Sequence, residues 1–272
     1  MKGQFEGIPL SDSASESYIV RSNGVFTAVP CKSGGGGVIA VLNAYEFKRF
    51  EQDMKTVKGH SGPIVDFEFS PFNDHLLATA SEDASVKLWI LPEGGMTGDI
   101  SECDAELRGH AKKLILTRFH PSSDFTLATA AADNSIRIWD IANQKCVMTQ
   151  EFKSVSTGLD WSHNGSLLAA ITKEKNAVIF DPRKDGSALT TNTHEGGKPQ
   201  KICWLGDSQT FLSTGFSKIS ERQYGVYDLR DLSQPLIMKR LDDYAGIAYP
   251  FFDEDTRLVF MAGKGESSVN YY

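Results

Sequence analysis

Apolar and polar residues alternate in short runs along this chain, and each run is bounded by Gly, Asp, Asn, Ser or Pro. A period of two, enriched in β-branched residues and closed by turn formers, predicts strands and hairpins rather than helices. Two stretches nearly superimpose: GHSGPIVDFEFSPFNDHLLATASEDASVKLWI, Gly59 to Ile90, and GHAKKLILTRFHPSSDFTLATAAADNSIRIWD, Gly109 to Asp140. Each passes from Gly-His through an alternating apolar segment, a turn with Pro, the tetrapeptide LATA and an acidic turn to a last strand with Trp at its end. His60 and Trp89 are 29 positions apart, and so are His110 and Trp139. A register shared over that length marks an internal repeat.

With the period known, weaker copies follow on both sides. The units end near Leu42, Trp89, Trp139, Phe180, Tyr227 and Tyr271. Each has the size of one four-stranded propeller blade. The expectation is an all-β WD-repeat β-propeller, a single domain over residues 1–272 in which six repeats are visible of a seven-bladed ring. Because the last unit stops on its third strand at Tyr271 and Tyr272, a seventh blade and a closing strand are expected to be absent from this chain.

Composition narrows the function classes. Hydrophobic residues are 40% and charged residues 23% of the 272 positions, which excludes a disordered or collagen-like chain. No apolar run approaches the ~20 residues of a spanning helix, and MKGQFEGIPLSD has no apolar signal core. A cytoplasmic location without membrane insertion is expected. The net charge of −7 speaks against nucleic acid as a partner. Cys31, Cys103, Cys146 and Cys203 are far apart and form no CxxC pair, so they read as reduced thiols, not as a zinc or disulfide framework.

Some residues invite a catalytic reading. His60, Ser81, Asp83 and Trp89 contain the elements of a triad, yet in WD repeats these residue types form a buried hydrogen-bond chain that ties strands together. The second copy keeps His110, Asp133 and Trp139 but has Ala131 in place of Ser81, which predicts a shortened network there. Gly34–Gly37 and Gly263–Ser268 echo phosphate loops, but each leads into a strand rather than a helix, so both read as turns. His75, His120, His163 and His194 lack ligand spacing. No metal, cofactor or enzymatic activity is expected.

Features between the repeats are more specific. SGGGG at Ser33–Gly37, RGHAKK at Arg108–Lys113, THEGGKPQK at Thr193–Lys201, TGFSKISERQ at Thr214–Gln223, FFDEDT at Phe251–Thr256 and GKGESS at Gly263–Ser268 together resemble the coronin family. The resemblance runs from about Phe5 to Tyr272. It implies a non-catalytic, actin-filament-binding propeller that influences branched actin nucleation and filament turnover. The partners it implies are actin filaments and the branched-actin nucleating complex, at the actin cytoskeleton. The family's C-terminal coiled coil is expected to be absent here, so oligomerisation through it is not expected of this chain.

Blade geometry adds a surface. Loops that enter a first strand and loops joining second to third strands share one end of a propeller. Those loops hold Lys112 and Lys113, Lys198 and Lys201, and Lys218 and Arg222, which become the candidate actin contacts. Lys173, Lys175 and Lys264 lie in loops of the same type, while Arg183 and Lys184 follow a third strand and should face the other way. The competing reading is a general WD scaffold with partners other than actin.

Overall fold

The computed structural model describes residues 3–11, 17–50, 54–184 and 188–272. Two compact units divide it: Met1–Phe119 with Asp124–Glu151, and His120–Ser123 with Phe152–Tyr272.

The first unit contains three antiparallel four-stranded sheets. They are β1 (Arg21–Ser22), β2 (Phe26–Cys31), β3 (Gly37–Asn43) and β4 (Thr56–His60); then β5 (Ile64–Phe69), β6 (Leu76–Ser81), β7 (Ser85–Ile90) and β8 (Ala105–Arg108); then β9 (Leu114–Phe119), β10 (Thr126–Ala131), β11 (Ser135–Asp140) and β12 (Lys145–Glu151). Each sheet is a simple meander.

The second unit adds two more such meanders and a three-stranded sheet. They are β13 (Ser156–Trp161), β14 (Leu168–Thr172), β15 (Asn176–Phe180) and β16 (Ala188–Asn192); β17 (Lys201–Trp204), β18 (Thr210–Phe216), β19 (Arg222–Asp228) and β20 (Ile237–Asp242); and β21 (Ala248–Asp253), β22 (Leu258–Gly263) and β23 (Val269–Tyr271).

Burial falls toward the last strand of each sheet, and the sequence follows it. β6 and β10, the LATA strands, are buried at every position after the first. A strand covered on both faces has no room for large side chains on each, hence its Ala and Thr. β12, an outer strand reading KCVMTQE, alternates exposed and half-buried along its whole length. The cores lie between successive sheets within a unit. Phe26 and Ile39 of the first sheet pack with Phe67, Leu77 and Trp89 of the second. Leu88 and Leu107 meet Leu114, Leu127 and Trp139. In the second unit Ile171 and Ile179 meet Trp204, Phe211 and Tyr227.

Sequence repeat and sheet are offset by one strand. The Gly59-His60 pair that opens a repeat closes β4, the outer strand of the preceding sheet, while the rest of that repeat builds the next sheet. The histidine thus reaches from one sheet into its neighbour.

Candidate functional site

The histidine-bearing loops are built the same way in the first two copies. His60 places Nδ1 2.9 Å from Asp83 Oδ2 and Nε2 2.8 Å from Thr79 Oγ1, and Trp89 Nε1 donates to that hydroxyl at 2.8 Å. Because the Asp83 carboxylate only accepts, the His60 proton sits on Nδ1 and Nε2 accepts from Thr79. The chain runs Trp89 to Thr79 to His60 to Asp83. Ser85 Oγ donates to Asp83 Oδ1 at 2.6 Å, and the Ser61 amide donates to Oδ2 at 3.0 Å. Burial would raise the Asp83 pKa, but the bonds from His60 and Ser85 outweigh it and hold the carboxyl well below the usual range.

His110, Asp133, Thr129 and Trp139 repeat these distances: 2.9, 2.8 and 2.8 Å, with Ser135 on Asp133 at 2.7 Å. Asp133 is held at about 2, burial being outweighed by bonds from Ser135 and His110.

Two expectations are corrected here. The hydroxyl in the chain is Thr79, not Ser81; Ser81 instead donates to the Gly62 carbonyl at 2.9 Å and accepts from the Asp83 amide at 3.1 Å. The second network is not shortened by Ala131, since Thr129 supplies its hydroxyl. A sequence signal existed: Thr stands ten positions before Trp in both copies. Replacing Thr79 with Val should cost roughly 2 kcal/mol, because it leaves the Trp89 indole N–H and a His60 nitrogen buried without partners. Thr129→Val should match it. Chemical denaturation checks both, and a loss below about 0.5 kcal/mol would show the chain contributes little.

A third histidine departs from the pattern. His194 Nε2 lies 2.9 Å from Ser213 Oγ, and the Gln223 amide donates to Nδ1 at 3.0 Å. No carboxylate faces it among its described hydrogen-bond partners, so the tautomer is reversed and Nε2 carries the proton. Burial pushes its pKa down to about 4.

The basic candidates separate once their strands are seen. In the first unit Lys112 is exposed, and Lys113 reaches Glu82 at 2.6 Å. In the second, Lys218 is exposed and 3.2 Å from Glu195. Lys198 lies over the Phe216 ring at 4.4 Å and donates to the Ala245 carbonyl at 2.7 Å.

Lys201 and Arg222 do not lie at the surface. Each is the first residue of a strand rather than part of a loop. Lys201 is buried in β17 and donates to the Thr157 carbonyl at 2.8 Å. Arg222 is buried in β19 between Asp242 and Glu266, donates to the Gly246 carbonyl at 3.3 Å and stands 5.5 Å from the Tyr244 ring. A Cβ on Gly263 would occupy the space of the Glu266 carboxylate and the Arg222 guanidinium. The SERQ and GKGE segments are thus two halves of one buried ion cluster, which nothing in their sequences announces.

Contacts chain the second unit's loops into one end. Lys175 Nζ donates to the Glu195 carbonyl, the Gly196 amide to that of Phe216, and the Lys264 amide to that of Ile247. Arg183 and Lys184, both on Asp181, follow β15 and so lie at the other end of their sheet from the Lys173–Lys175 turn.

The chain is similar to known proteins. A family model described as WD domain, G-beta repeat matches residues 51–89 and 101–140, and a domain of unknown function, DUF1899, matches residues 2–49. Coronin-2B of Homo sapiens is 39% identical over 269 residues, 98% of this chain and 56% of the relative. A coronin-like protein of Saccharomyces cerevisiae is 30% identical over 280 residues, 99% of this chain and 43% of the relative. The chain thus spans about half the length of these curated relatives. The crystal structure of the WD40 domain from Toxoplasma gondii coronin gives a TM-score of 0.95 at 33% identity, covering 100% of this chain and 71% of that one. A chain of the mitotic checkpoint complex, 17% identical with a TM-score of 0.71 over 93% of this chain and 72% of that one, shares the fold alone. The fold class is the all-β WD-repeat β-propeller that the repeats predict.

Proposed function

The chain belongs to the coronin family, and from that premise we propose that it is a non-catalytic module that binds actin filaments in the cytoplasm. Through that contact it takes part in regulating actin dynamics and branched nucleation at the cytoskeleton. The observation that carries this reading is the set of lysines on the histidine-bearing loops, Lys112, Lys113 and Lys198, and on the β18–β19 turn, Lys218, in a protein whose net charge is −7. An actin filament is acidic, so local positive charge on an otherwise acidic chain steers encounter and sets orientation. The ion pairs of Lys113 and Lys218 are exposed and weak, and a partner carboxylate can replace them at little cost.

Co-sedimentation with actin filaments tests it. Binding should weaken as salt rises, and charge reversal of the four lysines to Glu should lower affinity by at least about tenfold. The same reversal at Arg183 and Lys184 should leave binding unchanged. Full binding by the fourfold variant, with circular dichroism showing it folded, would remove these lysines from the contact. Absence of binding by the unmodified chain would favour a WD scaffold with other partners.

A further inference from the structure

Charge does not account for the turn between β18 and β19. Ile219, at its apex, is 76% exposed. The corresponding turns of the other sheets carry polar or small residues at their tips: Glu82 to Ala84, Ala132 to Asn134, Lys173 to Lys175, and Lys264 to Ser268. What sets Ile219 apart from the chain's other exposed apolar residues is its place at the apex of this ordered turn.

The turn itself is fixed. The Ser217 amide donates to the Glu221 carbonyl at 2.8 Å, the Ser220 amide to the Ser217 carbonyl at 3.0 Å, and the Glu221 amide to Ser217 Oγ at 3.2 Å. Ser220 takes the left-handed conformation at φ 65° to close it. Ile219 is therefore presented in one place, and covering it requires little further ordering. Lys218 on the same turn is 3.2 Å from Glu195 of the entering loop, and Lys198 of that loop donates to the carbonyl of Ala245, next in sequence to Tyr244, which is 58% exposed. An apolar centre within a charged rim is how protein interfaces are built, with the affinity concentrated in the centre.

We propose that Ile219 is the apolar anchor of the partner surface, seating in a hydrophobic depression of an acidic protein partner while Lys198 and Lys218 form its rim. The partner is the actin filament, so this rests on the function proposed above. Exposure of Ile219 means its substitution leaves folding intact. Ile219→Ala should weaken filament binding roughly tenfold and Ile219→Asp more than about thirtyfold, with unchanged melting. The salt dependence supplies a second readout. Ile219→Ala should keep the slope of affinity against salt of the unmodified chain, whereas the lysine reversals should flatten it. If both variants bind within about twofold of the unmodified chain, the anchor is overturned while filament binding stands. If the unmodified chain does not bind, the functional reading fails and the anchor fails with it.

Discussion

Replacing Arg222 with Met should destabilise the second unit by roughly 3–5 kcal/mol, the typical cost of breaking a buried pair from one side. Its guanidinium has 1% side-chain exposure, and Glu266 beside it has 2%, so removing the cation leaves a carboxylate that water cannot reach. Asp242, with 22% exposure, is the more tolerant partner. The prediction separates an uncompensated charge from lost packing. Replacing both members with apolar residues, Arg222→Met with Glu266→Leu, should recover most of the loss, because well-packed side chains of similar volume replace buried pairs at little net cost. Urea denaturation of the single and double variants measures this. A double variant as unstable as the single one would show that the cluster's hydrogen bonds, such as that to Gly246, matter more than its charge balance. Amide exchange in β23 offers a local check, since Glu266 lies in the turn leading to that strand.

Stability should fall by about 3 kcal/mol as pH drops from 6.5 to about 4 through His194 alone. Burial lowers its folded-state pKa to about 4, while an unfolded histidine titrates near 6.5. The unfolded chain therefore binds a proton that the folded chain refuses throughout that interval. Stability from this group is complete above pH 6.5, declines below it, and is exhausted once pH passes the folded value. His110 is also held low by burial, but Asp133 opposes that effect; His194 has Ser213 and Gln223 instead. Below pH 4 the low carboxyl values of Asp83 and Asp133 extend the loss. His194→Gln keeps a polar side chain in the site and should remove most of the decline between pH 6.5 and 4. An unchanged pH profile in that variant would move the effect to other groups.

The networks illustrate how far sequence reaches. His60, Asp83 and Trp89 were legible because their spacing recurs unchanged at His110, Asp133 and Trp139. The hydroxyl was misassigned, since Ser81 and Thr79 lie two positions apart on the same strand and side chains two apart share a face. Only their distances to His60 and Trp89 distinguish them. Among the surface candidates, Lys112, Lys113, Lys198 and Lys218 lie outside the strands, as expected. Lys201 and Arg222 do not, because β17 and β19 each begin on the basic residue itself. A boundary shifted by one position turns a loop lysine into a buried strand residue.

The sequence by itself determined the all-β fold class and the Trp–His–Asp alignments. Those depend on strand period and on a fixed repeat length, both of which are written locally along the chain. Tertiary structure alone decided which hydroxyl completes each network, which lysines reach solvent and what the SERQ and GKGE segments do. Arg222 and Glu266 are 44 positions apart, and each charge is tolerable in the interior only because packing two sheets together brings the other beside it.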